Sequence, residues 1–153
     1  MQAHPRTPSA LRYDNRTGCP GGLTGDLSQG AGRTGGIVIG IRVEVYRQVI
    51  VSLVSDGHAL DSEGSADFRI ACAGVSSALR SFAELLGSRT DIRARGSAPE
   101  PGRFCVDVVS VARMDWYRGV SELLMTSLRL VQRDYPAHVA IEFVEVEGFA
   151  EVG

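Results

Sequence analysis

The spacing of apolar side chains switches back and forth between the period of a strand and the period of a helix. The order of those switches constrains the fold more than any other feature of the chain. Ile37, Ile39, Ile41, Val43 and Val45 alternate with Gly40, Arg42, Glu44 and Tyr46, which predicts a half-buried strand. Arg47-Gln48 is a poor turn signal, yet 49–55 reads as a second strand, followed by a polar loop over 56–66. Over 67–87 the spacing becomes helical: Cys72, Val75, Leu79, Phe82 and Leu86 share one face, with Asp67 as N-cap and Gly87 as the stop. Strands over 91–95 and 103–111 follow, joined by the turn-rich Gly96-Ser-Ala-Pro-Glu-Pro-Gly102. A second helix spans 114–135 with Trp116, Val120, Leu123, Leu124, Ser127 and Val131 inward, and Pro136 ends it. Val139, Ile141 and Phe143 mark a last strand. The order ββαββαβ lacks βαβ alternation. It predicts an α+β two-layer sandwich, a mainly antiparallel sheet carrying two helices on one face.

The first 36 residues differ from the rest. They are rich in glycine and carry few sizeable apolar side chains, so they cannot bury enough surface to offset their ordering entropy. Two readings stay open for 1–36: an unstructured arm, or a start codon assigned too far upstream. The folded domain is expected over 37–153. Gly30-Ala-Gly-Arg-Thr-Gly35 fits a dinucleotide fingerprint, but a strand follows it where a helix is needed, so it reads as composition.

Composition removes several function classes. The formal net charge is −2, so there is no broad basic field for nucleic acid or anionic lipid, and neither is expected as a partner. All basic residues are arginine, which excludes any mechanism that needs a lysine. Cys19, Cys72 and Cys105 follow no metal-ligand spacing. No metal and no cofactor are expected, and reduced thiols in a cytoplasmic protein are the simpler reading. No apolar run approaches the ~20 residues of a membrane-spanning helix, and no signal peptide is expected.

The constellation that carries chemistry is Gly57-His58-Ala59 on a loop together with Cys72 in the first turns of the helix that follows. A thiol with a pKa near ~8.5 is a weak nucleophile at neutral pH until a helix N-terminus or a nearby imidazole helps ionise it. Amides at the helix start could hold a developing oxyanion, and Gly74 would leave room for an extended peptide. A half-apolar helix position is also where a cysteine simply packs, so spacing alone leaves both readings open. Cys105 in mid-strand, Cys19 in the arm and His138 at a strand entrance read as inert.

The combination of SDGHA at 55–59, ACAGVSSAL at 71–79, AELLG at 83–87 and ELLMTSLRLVQRDYPAHVAI at 122–141 resembles the bacterial ribosomal-processing cysteine protease family, Prp. The resemblance runs in order from about residue 37 to 145. It implies a homodimeric endopeptidase that removes the N-terminal extension of the precursor of large-subunit ribosomal protein twenty-seven. Through it, His58 and Cys72 take the parts of base and nucleophile, and Ser76, one turn after Cys72, orients thiol or substrate. The family acid corresponds to Asp67, two residues further from the cysteine than usual. Either Asp67 acts from the helix cap or the acid is missing. Leu60 stands where the family commonly has glycine. Two further readings are a non-catalytic module that binds a ribosomal or assembly partner, and a redox-sensing thiol that has no evident resolving cysteine.

Overall fold

Ile39, Ile41, Val43 and Val45 all point to one side of β1 (Ile39–Tyr46) and are nearly or wholly buried, so the period-two reading of this segment holds. The computed structural model describes residues 39–57, 65–98 and 102–149. The expected arm over 1–36, its glycine motif, Cys19, Ile37, His58 and Leu60 lie outside the described residues.

β2 (Val49–Asp56) returns antiparallel to β1, with Ile41 opposite Ser55 and Val43 opposite Leu53. The turn between them holds two non-glycine residues in left-handed conformation, Arg47 at φ 46° and Gln48 at φ 70°. Such turns match the twist of a hairpin but favour Asn-Gly, which is why Arg-Gln is a weak sequence signal. Side chains hold this one: the Arg47 N–H donates to Glu145 Oε1 at 3.1 Å, and the Arg47 guanidinium stands 5.1 Å from the Tyr46 ring centre.

α1 (Ala66–Gly87) begins one residue earlier than expected, and its cap is Ser65 rather than Asp67. Ser65 has the extended backbone (ψ 161°) that a cap requires, and its hydroxyl accepts from the Phe68 N–H at 3.2 Å. Asp67 lies inside the first turn, where it favours the positive helix end without capping it.

β3 (Ile92–Ser97) and β4 (Arg103–Val111) form the second hairpin, and β4 also pairs antiparallel with β2. α2 (Met114–Asp134) then crosses back, and β5 (Val139–Glu145) joins β1 in parallel. The five-stranded sheet has the order β3-β4-β2-β1-β5, mixed but mainly antiparallel, with both helices on one face. This is the expected α+β two-layer sandwich.

The inner face of α2 is shifted by one position from the expected one. Tyr117, Ser121, Leu124, Met125 and Leu128 are buried, Trp116 is half-buried and Leu123 is 69% exposed. Polar Tyr117 and Ser121 can turn inward because the Ile50 backbone satisfies both: the Tyr117 hydroxyl donates to its carbonyl and the Ser121 hydroxyl accepts from its N–H.

Register fixes which chain ends meet. Gly40 pairs with Asp56, Asp56 with Arg103, Cys105 with Ser97, and Ile39 with Val139. One end of the sheet therefore gathers the starts of β1, β4 and β5 and the ends of β2 and β3. α1 starts at this end and α2 finishes there.

Candidate active site

Gly57 follows β2 at φ 106°, a backbone state that a side chain rarely adopts. The next described residue is Ser65. His58 falls between them, outside the described residues.

Cys72 is half-buried, is not disulfide-bonded, and packs against the edge of the core. It is the seventh residue of α1, about 9 Å along the axis from the first. This corrects two expectations about activation. The macrodipole acts mainly on the first turn, so the helix end contributes little to ionising a thiol placed there. The first-turn amides are not beside the thiol either. Phe68 N–H is taken by Ser65 Oγ and Arg69 N–H by the Ser65 carbonyl at 3.1 Å, and a seventh-residue amide bonds within the helix.

Four residues beyond, Ser76 is also half-buried. That spacing stacks it on the same helical face as Cys72, so the structure brings these two candidates together. Asp67 does not join them. Five residues advance a helix by ~500°, which leaves Asp67 about 140° round the axis from Cys72, and its side chain is on an exposed position.

Gly74 also has a different role from the expected one. A Cβ built there would stand 3.3 Å from Val131 Cγ2, so Gly74 permits close approach of α1 to α2. It lies about 160° round the helix from Cys72 and opens no room beside it.

Two residues to which the sequence reading gives no chemical part stand at the same end. Ser55, the last inward residue of β2 before Gly57, is fully buried with a hydroxyl lacking a partner among the described residues. His138, in the turn between α2 and β5, places Nε2 3.5 Å from Ser65 Oγ and its ring edge-on to Phe68, with centroids 5.6 Å apart. A serine two residues before Asp67 was an available signal for the cap. Nothing in the spacing connects residue 138 with residue 65.

Cys105 is buried in β4 and disulfide-bonded, which corrects the expectation of reduced thiols, and Ser97 Oγ lies 3.1 Å from its sulfur. Among the described residues no cluster of histidine, cysteine and carboxylate side chains is arranged to hold a metal ion. A groove of about 460 Å³ with Met125 and Phe143 in its lining lies at the opposite end of the sheet, beside Gln48 of the β1–β2 turn, and does not include Cys72. No helix among the described residues is long and apolar enough to cross a membrane.

No family model matches the sequence, and no characterised protein matches it in a sequence search. Solved structures do match. The S. aureus ribosomal processing protease Prp in complex with a substrate peptide superposes with a TM-score of 0.60 at 19% identity, over 69% of this chain and 99% of that one. The same protease with a covalently linked product peptide gives 0.56 at 20% identity, over 69% and 99%. SMU.848 from Streptococcus mutans gives 0.59 at 17% identity, over 71% and 99%. The chain has a Prp-like fold. At these identities the likeness concerns the fold, and the Prp-like core accounts for nearly the whole of each neighbour.

Proposed function

We propose that the protein is a cysteine endopeptidase that trims the N-terminal extension from the precursor of large-subunit ribosomal protein twenty-seven, with Cys72 as nucleophile and His58 as base. The observation that carries this reading is the position of Cys72. It is a half-buried cysteine outside any disulfide, on the helix that follows Gly57-His58, within a fold shared with a protease captured in covalent linkage to a product peptide. His58 would take the thiol proton, the thiolate would attack the scissile carbonyl, and the imidazolium would return the proton to the leaving amine. Water would then release the acyl-enzyme with His58 again as base. Ser76, on the thiol's face, would orient thiol or peptide. The helix start contributes little to activation, so the imidazole carries most of it.

The test is direct. The purified chain is mixed with the precursor, and trimming is followed by mass spectrometry, with Cys72→Ala and His58→Ala beside it. Trimming by the unaltered chain and none by Cys72→Ala supports the reading; trimming by Cys72→Ala removes it. Cytoplasmic location follows from this substrate rather than from cysteine usage, since Cys105 is disulfide-bonded. A homodimer belongs to the same proposal and is read by light scattering.

A second reading is a binding module for the same ribosomal segment. The seventh-position placement of Cys72 and the separation of Asp67 from it favour this alternative. Stable capture of intact precursor, unaffected by Cys72→Ala, would establish it.

A further inference from the structure

We propose that His138 is a positioning residue for Cys72, holding the first turns of α1 against the corner between α2 and β5. The catalytic part of this proposal rests on the proteolytic reading above; the structural part does not.

The backbone of His138 is tied on both sides. Its N–H donates to the Tyr135 carbonyl at 3.0 Å, and its carbonyl accepts from the Ile39 N–H at 2.8 Å. The residue is thereby joined to the end of α2 and the start of β1. Its imidazole faces the other way, toward α1. Nε2 meets Ser65 Oγ at 3.5 Å, and the ring meets Phe68 in an edge arrangement with 66° between planes. Ser65 and Phe68 are themselves linked through the cap bond. Phe68 and Cys72 are four apart and stack along one side of the helix. A chain of contacts therefore leads from the sheet through His138 to Ser65, Phe68 and the turn that carries the thiol.

The ring's other nitrogen gives its orientation a chemical meaning. Nδ1 is buried and has no partner among the described residues. A buried N–H without an acceptor is the costlier orphan, so we assign the hydrogen to Nε2, where it donates to Ser65 Oγ. Ser65 Oγ then accepts twice, from His138 and from the Phe68 N–H. A thiolate must meet a carbonyl carbon in near-attack geometry, and a misplacement of about 1 Å can cost up to ~100-fold in rate. Anchoring α1 one turn before the thiol is a means of avoiding that loss.

The experiment compares the full chain with His138→Phe, His138→Gln, Ser65→Ala and the double variant Ser65→Ala/His138→Phe. Phenylalanine keeps the aromatic edge against Phe68 and removes the donor; glutamine puts an amide N–H near the position of Nε2. Three quantities are read: hydrogen exchange at the Phe68 and Arg69 amides, the alkylation rate of Cys72 followed on the peptide 70–80, and kcat and KM for precursor trimming. We expect His138→Phe to speed exchange at both amides and lower kcat ~10-fold with KM little changed. His138→Gln should restore most of both, and the double variant should be no worse than the poorer single one, because both remove one contact. The proposal is overturned if His138→Phe leaves exchange and alkylation unchanged, if glutamine rescues nothing, or if the two single effects add. Should His138→Phe not fold, Ser65→Ala removes the acceptor of the same contact, and unchanged exchange at Phe68 and unchanged alkylation of Cys72 in it overturn the proposal. If the unaltered chain does not trim the precursor, the proteolytic reading fails by itself, while exchange and alkylation still report whether His138 holds α1.

Discussion

The Tyr117 hydroxyl donates a hydrogen bond to the Ile50 carbonyl at 2.6 Å, inside the core. With Ser121 accepting from the Ile50 N–H at 3.1 Å, α2 supplies both hydrogen bonds of one strand residue. Burial pushes the Tyr117 phenol well above its usual pKa, so it stays a donor at any pH where the fold persists.

Tyr117→Phe is expected to leave the Ile50 carbonyl buried and unpaired while keeping nearly all the packing. The loss should be about 1–3 kcal/mol of stability, measured by urea unfolding at neutral pH. A change under a few tenths of a kcal/mol would mean that water or another donor reaches Ile50.

Gln48→Gly should stabilise the fold. Gln48 sits at φ 70° on an exposed turn, where a side chain costs roughly 1 kcal/mol relative to glycine. The gain is opposed by greater freedom of the unfolded chain, so we expect a rise of about 2–4 °C in the thermal midpoint. A fall would show that the Gln48 side chain, which lines the groove against α2, contributes more than the turn strain removes.

The turn at Arg47-Gln48 also illustrates where the sequence stops being legible. Alternation in 39–46 and the apolar run in 49–55 mark two strands whatever joins them, because burial on one face dictates the period of the first. The turn's conformation depends on Glu145, which lies 98 residues away from Arg47. The same holds for α2. Its length and end were readable, but its inward face was not, since Tyr117 and Ser121 become core residues only through the Ile50 backbone. At the candidate site, local signals single out Gly57 and Cys72 as candidates, and Ser76 enters only through the family resemblance. The distance of Cys72 from the helix start was less visible, because a cap at Ser65 and one at Asp67 look alike until the backbone angle is known. His138 is illegible because its side-chain partner Ser65 lies 73 residues away along the chain, at the start of another element.

Gly74 serves the contact between helices, so its substitution should act on stability rather than on peptide binding. Gly74→Val puts branched carbon against Val131 where a Cβ alone already stands at 3.3 Å, and should cost about 1–3 kcal/mol. Val131→Ala in the same chain should recover part of that cost, whereas KM for the precursor should not move. A raised KM with unchanged stability would return Gly74 to the peptide path.

Arg89 and Asp91 form a local pair, Nε donating to Oδ1 at 2.7 Å, with the guanidinium 3.9 Å from the centre of the Trp116 ring. The hydrogen bond from Arg89 holds the Asp91 carboxyl below its usual pKa. A carboxyl that is more acidic folded than unfolded adds stability that is fully present above the unfolded pKa, ~3.9, and is lost as pH falls through the lower folded value. Asp91→Asn should therefore be less stable than the unaltered chain at pH 6, and that difference should shrink as unfolding is repeated toward pH 2. A difference that is constant with pH would assign the effect to packing on Trp116. Both groups are partly exposed, so added salt should reduce the effect.

The thiol itself provides the sharpest test of how activation is divided. Cys72 is the seventh residue of its helix, beyond the reach of most of the macrodipole, and under the proposed mechanism His58 would supply the low thiol pKa. The alkylation rate of Cys72 should follow thiolate fraction and rise with pH. In the unaltered chain its midpoint is expected below that of an ordinary cysteine, and in His58→Ala it should move up to ~8.5. Ser76→Ala should leave the midpoint in place while slowing precursor trimming, because a hydroxyl one turn away orients groups without supplying charge. Equal midpoints in the unaltered chain and His58→Ala would detach His58 from Cys72 and leave the binding module as the better account of this fold.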